Sequence, residues 1–368
     1  MFTAESSMAI RSAASLAPKL MTSAALTDRD GAYPSDAMRW LHKQGLCTAP
    51  LPQHMGGIGL NEGSQRLDLL CVLKHIGRGD LVVGRLYEGH VNALQLICAF
   101  GNTAQQEEAA RAAAAGLWFG VWNSQGEQGV RLTLQSDGAG WHLDGSKLYA
   151  SGAGHIERPL VTAQLADGGW QMVMTKSGPE AIHIDRSFWQ PLGMRASASF
   201  QVRFEGLAVA ATALVGSAGD YYREPTFSAG SVRFAAVQLG GAEAVLDETR
   251  RFLRAVQRAD DPYQRVRLGE MAMAVEAGNL WFDGAARHVD DVPYAHLMRS
   301  AIEQIGLRVM QLAERCVGAR GLLRPSPLER LHRDLTHYLR QPAPDASLAA
   351  AGAHVLGSDA PSHCLWGR

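Results

Sequence analysis

The stretch Val130-Arg131-Leu132-Thr133-Leu134-Gln135 decides how this chain is divided. Val130, Leu132 and Leu134 alternate with Arg131, Thr133 and Gln135, the period of two that a strand shows when one face is buried and the other wet. Phe200, Val202 and Phe204 alternate in the same way with Gln201, Arg203 and Glu205. Between the two lie short runs at Trp141 to Leu143, Leu148 to Ser151, Leu160 to Ala163 and Trp170 to Met174, separated by Asp-Gly, Gly-Gly and Ser-Gly turns. Together they predict a small all-β domain over residues 116–215, with His183 on one of its strands.

On either side the period is helical. Ile10, Ala13, Ala17, Leu20 and Ala24 recur at helical spacing, so the N-terminal stretch reads as an amphipathic helix rather than a transit peptide, despite Arg11, Lys19 and the lone acidic Glu5. Asp30-Gly31 and Pro34 mark a turn before Met38, Leu41 and Leu46, and Ala49-Pro50-Leu51-Pro52 with Gly56-Gly57-Ile58-Gly59 breaks the chain again. Apolar residues then recur every three or four positions from Gln65 to Ile76 and from Leu81 to Phe100, and a charged helix runs from Gln105 to Ala114. After Phe227 two long stripes follow, Leu239-Ala242-Leu246-Leu253-Val256 and Ile302-Ile305-Val309-Leu312-Cys316, with Met271 to Trp281 between them and Leu328 to Leu339 beyond. The expected architecture is α+β and mostly α: an N-terminal helical domain (1–115), a central β domain (116–215) and a C-terminal four-helix bundle (216–368), with no internal repeat.

Composition narrows the function. Thirty-five basic and 36 acidic residues leave a formal charge of −1, so there is no global field to hold a nucleic acid. Five cysteines (Cys47, Cys71, Cys98, Cys316, Cys364), odd in number and without a C-x-x-C, suit neither a disulfide framework nor a zinc site and read as reduced thiols of a cytoplasmic protein. The longest uncharged stretch of small and apolar residues, Gly206 to Gly219, is too short for a membrane span.

Familiar signatures fail. No G-x-G-x-x-G follows a strand, and no H-E-x-x-H or G-x-S-x-G occurs. Gly140 to Lys147 has the spacing of a phosphate loop but ends Gly-Ser-Lys, and reads as a turn between strands. His332 and His337 stand one residue too far apart for an i, i+4 metal pair, so no metal is expected.

Local sequences resemble the acyl-CoA dehydrogenase family in its order. Gly45-Leu46, Ala49-Pro50-Leu51-Pro52 and Gly56-Gly57-Ile58-Gly59-Leu60 look like its "GL…P…GG.GL" segment, and Gly101-Asn102 with Gln105-Gln106 like the loop into its last N-terminal helix. Leu143-Asp144-Gly145-Ser146-Lys147-Leu148-Tyr149-Ala150-Ser151-Gly152 resembles "L.G.K.WITNG", and Leu192-Gly193-Met194-Arg195-Ala196-Ser197 resembles "LG.R.S". Gly318-Ala319-Arg320-Gly321 and Glu329-Arg330-Leu331-His332-Arg333-Asp334 resemble the "GG.G" turn and the "E…RD" helix start.

The resemblance implies FAD and an acyl-thioester substrate. Trp122, Asn123 and Ser124, after Val121, match the first flavin-contacting strand; Tyr149, Ala150 and Ser151 match the second, where a hydroxyl can serve flavin N5. The first strand departs from the family's "TE…GSD", which shrinks to Gln125-Gly126-Glu127-Gln128-Gly129. Arg258 matches a cation for the diphosphate, or is a helix-end charge beside Asp260 and Asp261. Arg315, Cys316, Gly318 and Ala319 match the segment that reaches a neighbouring subunit's FAD, which implies a homodimer or homotetramer. Arg233 stands where the family keeps an arginine, as an anion contact or a helix-surface cation, and Tyr221, Tyr222 and Phe227 are candidates to line the substrate cavity.

The family's catalytic glutamate has no counterpart. Its usual position falls at Pro342, and the alternative on the first bundle helix falls near Gly230 or Ser231. Abstraction of a thioester α-proton needs a positioned base. Three readings stay open: a dehydrogenase with a displaced base, for which Asp345 is the nearest carboxylate unless it is a helix N-cap; a flavin oxidase or monooxygenase, which needs no such base; and a non-catalytic acyl-thioester binder.

Overall fold

Residues 3–366 of the computed structural model are described here, apart from 61, 136, 137, 139, 177–180 and 289. The N-terminal helices are α1 (Ala4–Asp30), α2 (Ser35–Lys43), α3 (Arg66–Gly79), α4 (Leu81–Phe100) and α5 (Thr103–Ala114). Several boundaries have a local cause. Thr3 caps α1, which runs through Pro18 and is longer than its apolar period suggests, and Gly31 ends it in the left-handed region at φ 62°. Asp80 caps α4 by accepting from Val82 N at 2.8 Å. Asn102 and Gln105 form a reciprocal capping box on α5, and Gln105 Nε2 also donates to the carbonyls of Thr212 and Leu214, tying this helix to the sheet.

Eight strands follow: β1 (Phe119–Trp122), β2 (Arg131–Leu134), β3 (Trp141–Ala150), β4 (Arg158–Gln164), β5 (Trp170–Met174), β6 (Ile182–Asp185), β7 (Phe200–Val209) and β8 (Leu214–Val215). The sheet order is β6-β7-β3-β2-β4-β5-β8, with β1 parallel against β4. His183 lies on β6, exposed, 3.2 Å from Glu205. Of the Gly140 to Lys147 segment read as a turn, residues 141–147 belong to β3, which is a single strand where two short runs were expected. An irregularity between Leu143 and Gly145 absorbs the Asp-Gly signal. Gly145 sits at φ 112°, and a Cβ there would lie 2.5 Å from the Gly129 carbonyl oxygen, so the position needs glycine.

The bundle comprises α6 (Thr226–Ala255), α7 (Pro262–Arg287), α8 (Val292–Gly321) and α9 (Pro327–Tyr338), with a further helix α10 (Pro344–Leu356) beyond the expected four. One apolar core runs through both helical parts and a second lies within the sheet. The helical parts meet closely: a Cβ on Gly240 of α6 would lie 2.1 Å from the Lys74 carbonyl oxygen of α3. Arg333-Asp334 on α9 joins all three parts. Arg333 Nη2 reaches Asp28 of α1 at 2.7 Å, and Asp334 Oδ1 accepts from Met194 N at 2.6 Å. No helix among the described residues is long and apolar enough to cross a membrane.

Candidate functional site

The two strands that resemble flavin-contacting segments meet at their ends. Trp122 Nε1 donates to Ser151 O at 3.1 Å, and Leu148 N donates to Ser124 O at 3.1 Å. A second irregularity in β3, between Lys147 and Ala150, turns Tyr149 into the left-handed region at φ 55° and leaves its ring half-exposed against Phe188 and Trp189. Asn123 is held from several sides: its carbonyl accepts from Lys147 Nζ at 2.9 Å, and its Oδ1 accepts from Thr162 Oγ1 at 2.7 Å and the Tyr222 hydroxyl at 3.2 Å. Lys147 is wholly buried, and that burial pushes its ammonium down to about 7.

Ser151 Oγ lies 2.9 Å from Ser199 Oγ, which lies 2.7 Å from Ser197 Oγ. Three hydroxyl protons serve two links, so one proton is left to donate outward. A flavin ring nitrogen or oxygen is the kind of acceptor such a chain suits. Ala150 is buried beside it, and Ser124 is exposed.

At the other end of α6, Arg258 is an exposed cation paired with Asp261 at 2.5 Å, and Asp261 in turn caps α7. With the Gln264 amide turned to satisfy its surroundings, its oxygen accepts from both Arg258 at 3.2 Å and Arg267 at 3.0 Å. Cys316 of α8 is buried within electrostatic reach of these two arginines; burial still leaves its thiol raised. The structure therefore brings Arg258 to the segment holding exposed Arg315 and the backbone break at Gly318 (φ 57°, ψ −166°), with exposed Ala319 after it.

The third group centres on α4, whose polar residues the sequence reading passed over. Glu88 is fully buried, 2.9 Å from Arg85 Nη1, and hydrogen-bonded by Asn92 Nδ2. Asn92 Oδ1 accepts from Arg233 Nε of α6. Burial raises the Glu88 carboxyl to about 7 against the opposing pull of Arg85 and Arg233, and burial lowers the Arg233 guanidinium to about 10, so it stays cationic at neutral pH. Arg233 is thus a buried residue, not a surface cation. The available signal was the spacing of Arg85, Glu88, Asn92 and Gln95, one polar stripe on an otherwise apolar helix.

Arg233 opens onto a cavity of about 180 Å³ among α3, α4, α6, α7 and α8, walled by Leu69, Leu70, Gln95 and Val232. Asp290 is the lone carboxylate on its wall among the described residues; its side chain is 77% exposed and stands 3.6 Å from Arg66. Tyr221, Tyr222 and Phe227 do not line this cavity but cluster beside it, linking Asn123 to the start of α6.

The Pro342 carbonyl accepts from Arg299 Nε at 3.0 Å, and Arg299 also binds the carbonyls of Leu339 and Gln341, fixing that loop. Gly230 faces Arg233 and Asn92, whose nitrogens would lie 3.8 and 4.0 Å from an added Cβ. Ser231 Oγ is spent on the Ser228 carbonyl at 2.7 Å. Asp345 is exposed in the first turn of α10 and does not cap it, since Ala343 holds the N-cap position. His332 bonds Glu314, His337 packs on Trp189, and no cluster of metal-ligating side chains occurs among the described residues.

A β domain between helical layers, with paired strand ends and a cavity against the first bundle helix, defines a flavoprotein scaffold of the acyl-CoA dehydrogenase type. Residues 3–117 match the family described as acyl-CoA dehydrogenase, N-terminal domain, and residues 219–338 match acyl-CoA dehydrogenase, C-terminal domain. The chain belongs to this family of flavoproteins. It is 24% identical to a dibenzothiophene monooxygenase of Mycolicibacterium goodii over 96% of this chain and 94% of that one. Among solved structures, butyryl-CoA dehydrogenase from Megasphaera elsdenii superposes with a TM-score of 0.86 at 20% identity, covering 97% and 99% of the two chains. FMN-bound TdsC from Paenibacillus, a dibenzothiophene monooxygenase, gives 0.82 at 20% identity over 97% and 99%.

Proposed function

We propose that this protein is a flavin-dependent oxidoreductase of the monooxygenase type, which acts on a small molecule in the cavity beside Arg233 and does not abstract a thioester α-proton. The observation that carries this reading is the absence of an enclosed carboxylate on the cavity wall among the described residues. Glu88, the buried carboxyl nearby, is sealed behind Arg85 and Asn92. A positioned base contributes about 10²–10⁴-fold to proton abstraction, so a dehydrogenase without one would be slow. The similarity to dibenzothiophene monooxygenase over nearly the full chain is in keeping with this.

Flavin, as FAD, would lie with its ring end at Trp122, Asn123, Ser124, Tyr149, Ala150 and Ser151. Bound flavin supplies two-electron transfer and, once reduced, reactivity with dioxygen. The Ser151-Ser199-Ser197 chain gives a hydroxyl proton to the ring edge, and Lys147 holds the Asn123 backbone in place from below. Arg258, with Arg267 beside it, supplies cationic charge for a diphosphate, and Arg315 to Ala319 completes that end in a homo-oligomer.

The test is the visible spectrum of the purified protein, the identity of the released flavin, and two reactions run side by side. We expect about one FAD per chain, little anaerobic bleaching by butyryl-CoA or octanoyl-CoA, and oxygen uptake once the flavin is reduced chemically. Asp345→Asn is expected to change none of these. Fast bleaching by either thioester would reject the monooxygenase reading in favour of a dehydrogenase with a base elsewhere. A protein that stays colourless with added FAD and FMN would leave only the binder.

A further inference from the structure

The wall of the cavity carries a guanidinium whose terminal N–H groups no hydrogen bond takes up among the described residues, with an orphaned amide donor beside it. Gln95, only 9% exposed, lines the cavity; its Nε2 has no hydrogen-bond partner and is itself shut off from the cavity space, so the amide must turn to meet a ligand. An orphaned buried donor costs stability until an acceptor arrives. Arg233 lines the same cavity; its Nε is taken by Asn92 Oδ1, while Nη1 and Nη2 carry no hydrogen bond among the described residues. The fork of two parallel N–H groups is therefore the part left over, and it is the part that matches a carboxylate bidentately.

The arrangement holding that fork is rigid. Glu88 binds Arg85 and Asn92, and Asn92 binds Arg233, so a chain of three contacts fixes the guanidinium across the α4–α6 interface. The compensating charge of Glu88 sits behind Asn92 and is not on the cavity wall. Arg66 at the mouth already has Asp290 at 3.6 Å, which leaves Arg233 as the cation facing inward. A single guanidinium with one amide suits a monoanion better than a phosphate dianion.

We propose that this cavity is a carboxylate-reading site: a small organic acid enters with its carboxylate on the Arg233 guanidinium and the Gln95 amide and its apolar body against Leu69, Leu70 and Val232. The inference rests on reading this cavity as the substrate site, and is independent of which flavin reaction follows.

Calorimetric titration of the purified protein, as isolated, with benzoate and hexanoate and with their uncharged amides, benzamide and hexanamide, tests it. The acids are expected to bind about tenfold or more tighter than the amides. Arg233→Gln should bring acid and amide to within about twofold of each other. Because that variant removes a buried cation and can fail to fold, Gln95→Leu provides a second arm: it should weaken acid binding about tenfold while raising the thermal midpoint, since the orphaned donor is gone. Equal affinity for acids and amides in the wild type, no binding of either, or unchanged acid affinity in Gln95→Leu would overturn the proposal. Loss of acid preference with FAD retained refutes this inference alone; a colourless protein that binds benzoate refutes the flavin reading alone.

Discussion

Glu88 places a carboxyl where water cannot reach it, and its titration is therefore tied to folding. Burial lifts it from the ordinary 4.5 to about 7. A raised carboxyl favours the protonated folded state, so its stabilising effect is fully present below about pH 4.5 and is lost as pH rises through about 7. The difference corresponds to a contribution on the order of 3 kcal/mol. Glu88→Gln mimics the protonated form and should flatten this dependence: urea unfolding at pH 5 and pH 8 is expected to show a smaller loss in the variant than in the wild type, by up to about that amount. Parallel behaviour of the two proteins would mean that Glu88 is ionised throughout. The polar stripe on α4 was the one hint at this residue, but a charged side chain in a helix is usually solvated, and it takes the packing of α6, whose Arg233 bonds Asn92, to enclose it.

At the scale of elements, regular periods were legible and irregular ones were not. The alternation of Val130, Leu132 and Leu134 located β2, and the three-and-four spacing located α3, α4, α6 and α8. What escaped was β3 running on through Asp144-Gly145, because a bulge and a turn draw on the same residues and differ only in whether β7 and the 128–129 segment lie alongside. The start of α10 was off by two residues: Asp345 was a candidate N-cap for it, but the helix begins at Pro344 with Ala343 in the N-cap position. Two glycine substitutions separate conformational need from open space. Gly145→Ala is expected to destabilise by at least about 2 kcal/mol, from positive φ and the contact with Gly129. Gly230→Ala, in the second turn of α6 with the nearest neighbour of an added Cβ 3.8 Å away, should stabilise by about 0.5–1 kcal/mol. Denaturant midpoints on both variants check the pair, and a harmless Gly145→Ala would mean that β3 does not cross Gly129 as described.

For the whole molecule, the candidate site draws on every part of the chain: α4 from the first, the strand ends from the second, α6 from the third. Arg333, with Asp28 and Glu329, and Asp334, with Met194, keep these parts in register, which gives the "RD" pair a physical role. The surface raises a further question of assembly. On α7, Val266, Met273 and Leu280 stand seven residues apart and are 62%, 70% and 61% exposed, an apolar seam of the kind helices use to pair. The seam begins beside Arg267, close to Cys316, at the end of the bundle where we propose the FAD diphosphate. We propose a second copy of this chain as its occupant, in keeping with the homo-oligomer that the family resemblance implies. Met273→Glu would place a carboxylate in the middle of that seam, at a cost of several kcal/mol if buried without a partner. We therefore expect the dimer dissociation constant to rise at least about a hundredfold, or about 2.8 kcal/mol. Light scattering should report a shift towards monomer, and FAD should be retained less well after gel filtration, while far-UV circular dichroism stays unchanged. An oligomer that survives Met273→Glu with its FAD intact would place the interface elsewhere and detach the α7 seam from the cofactor site.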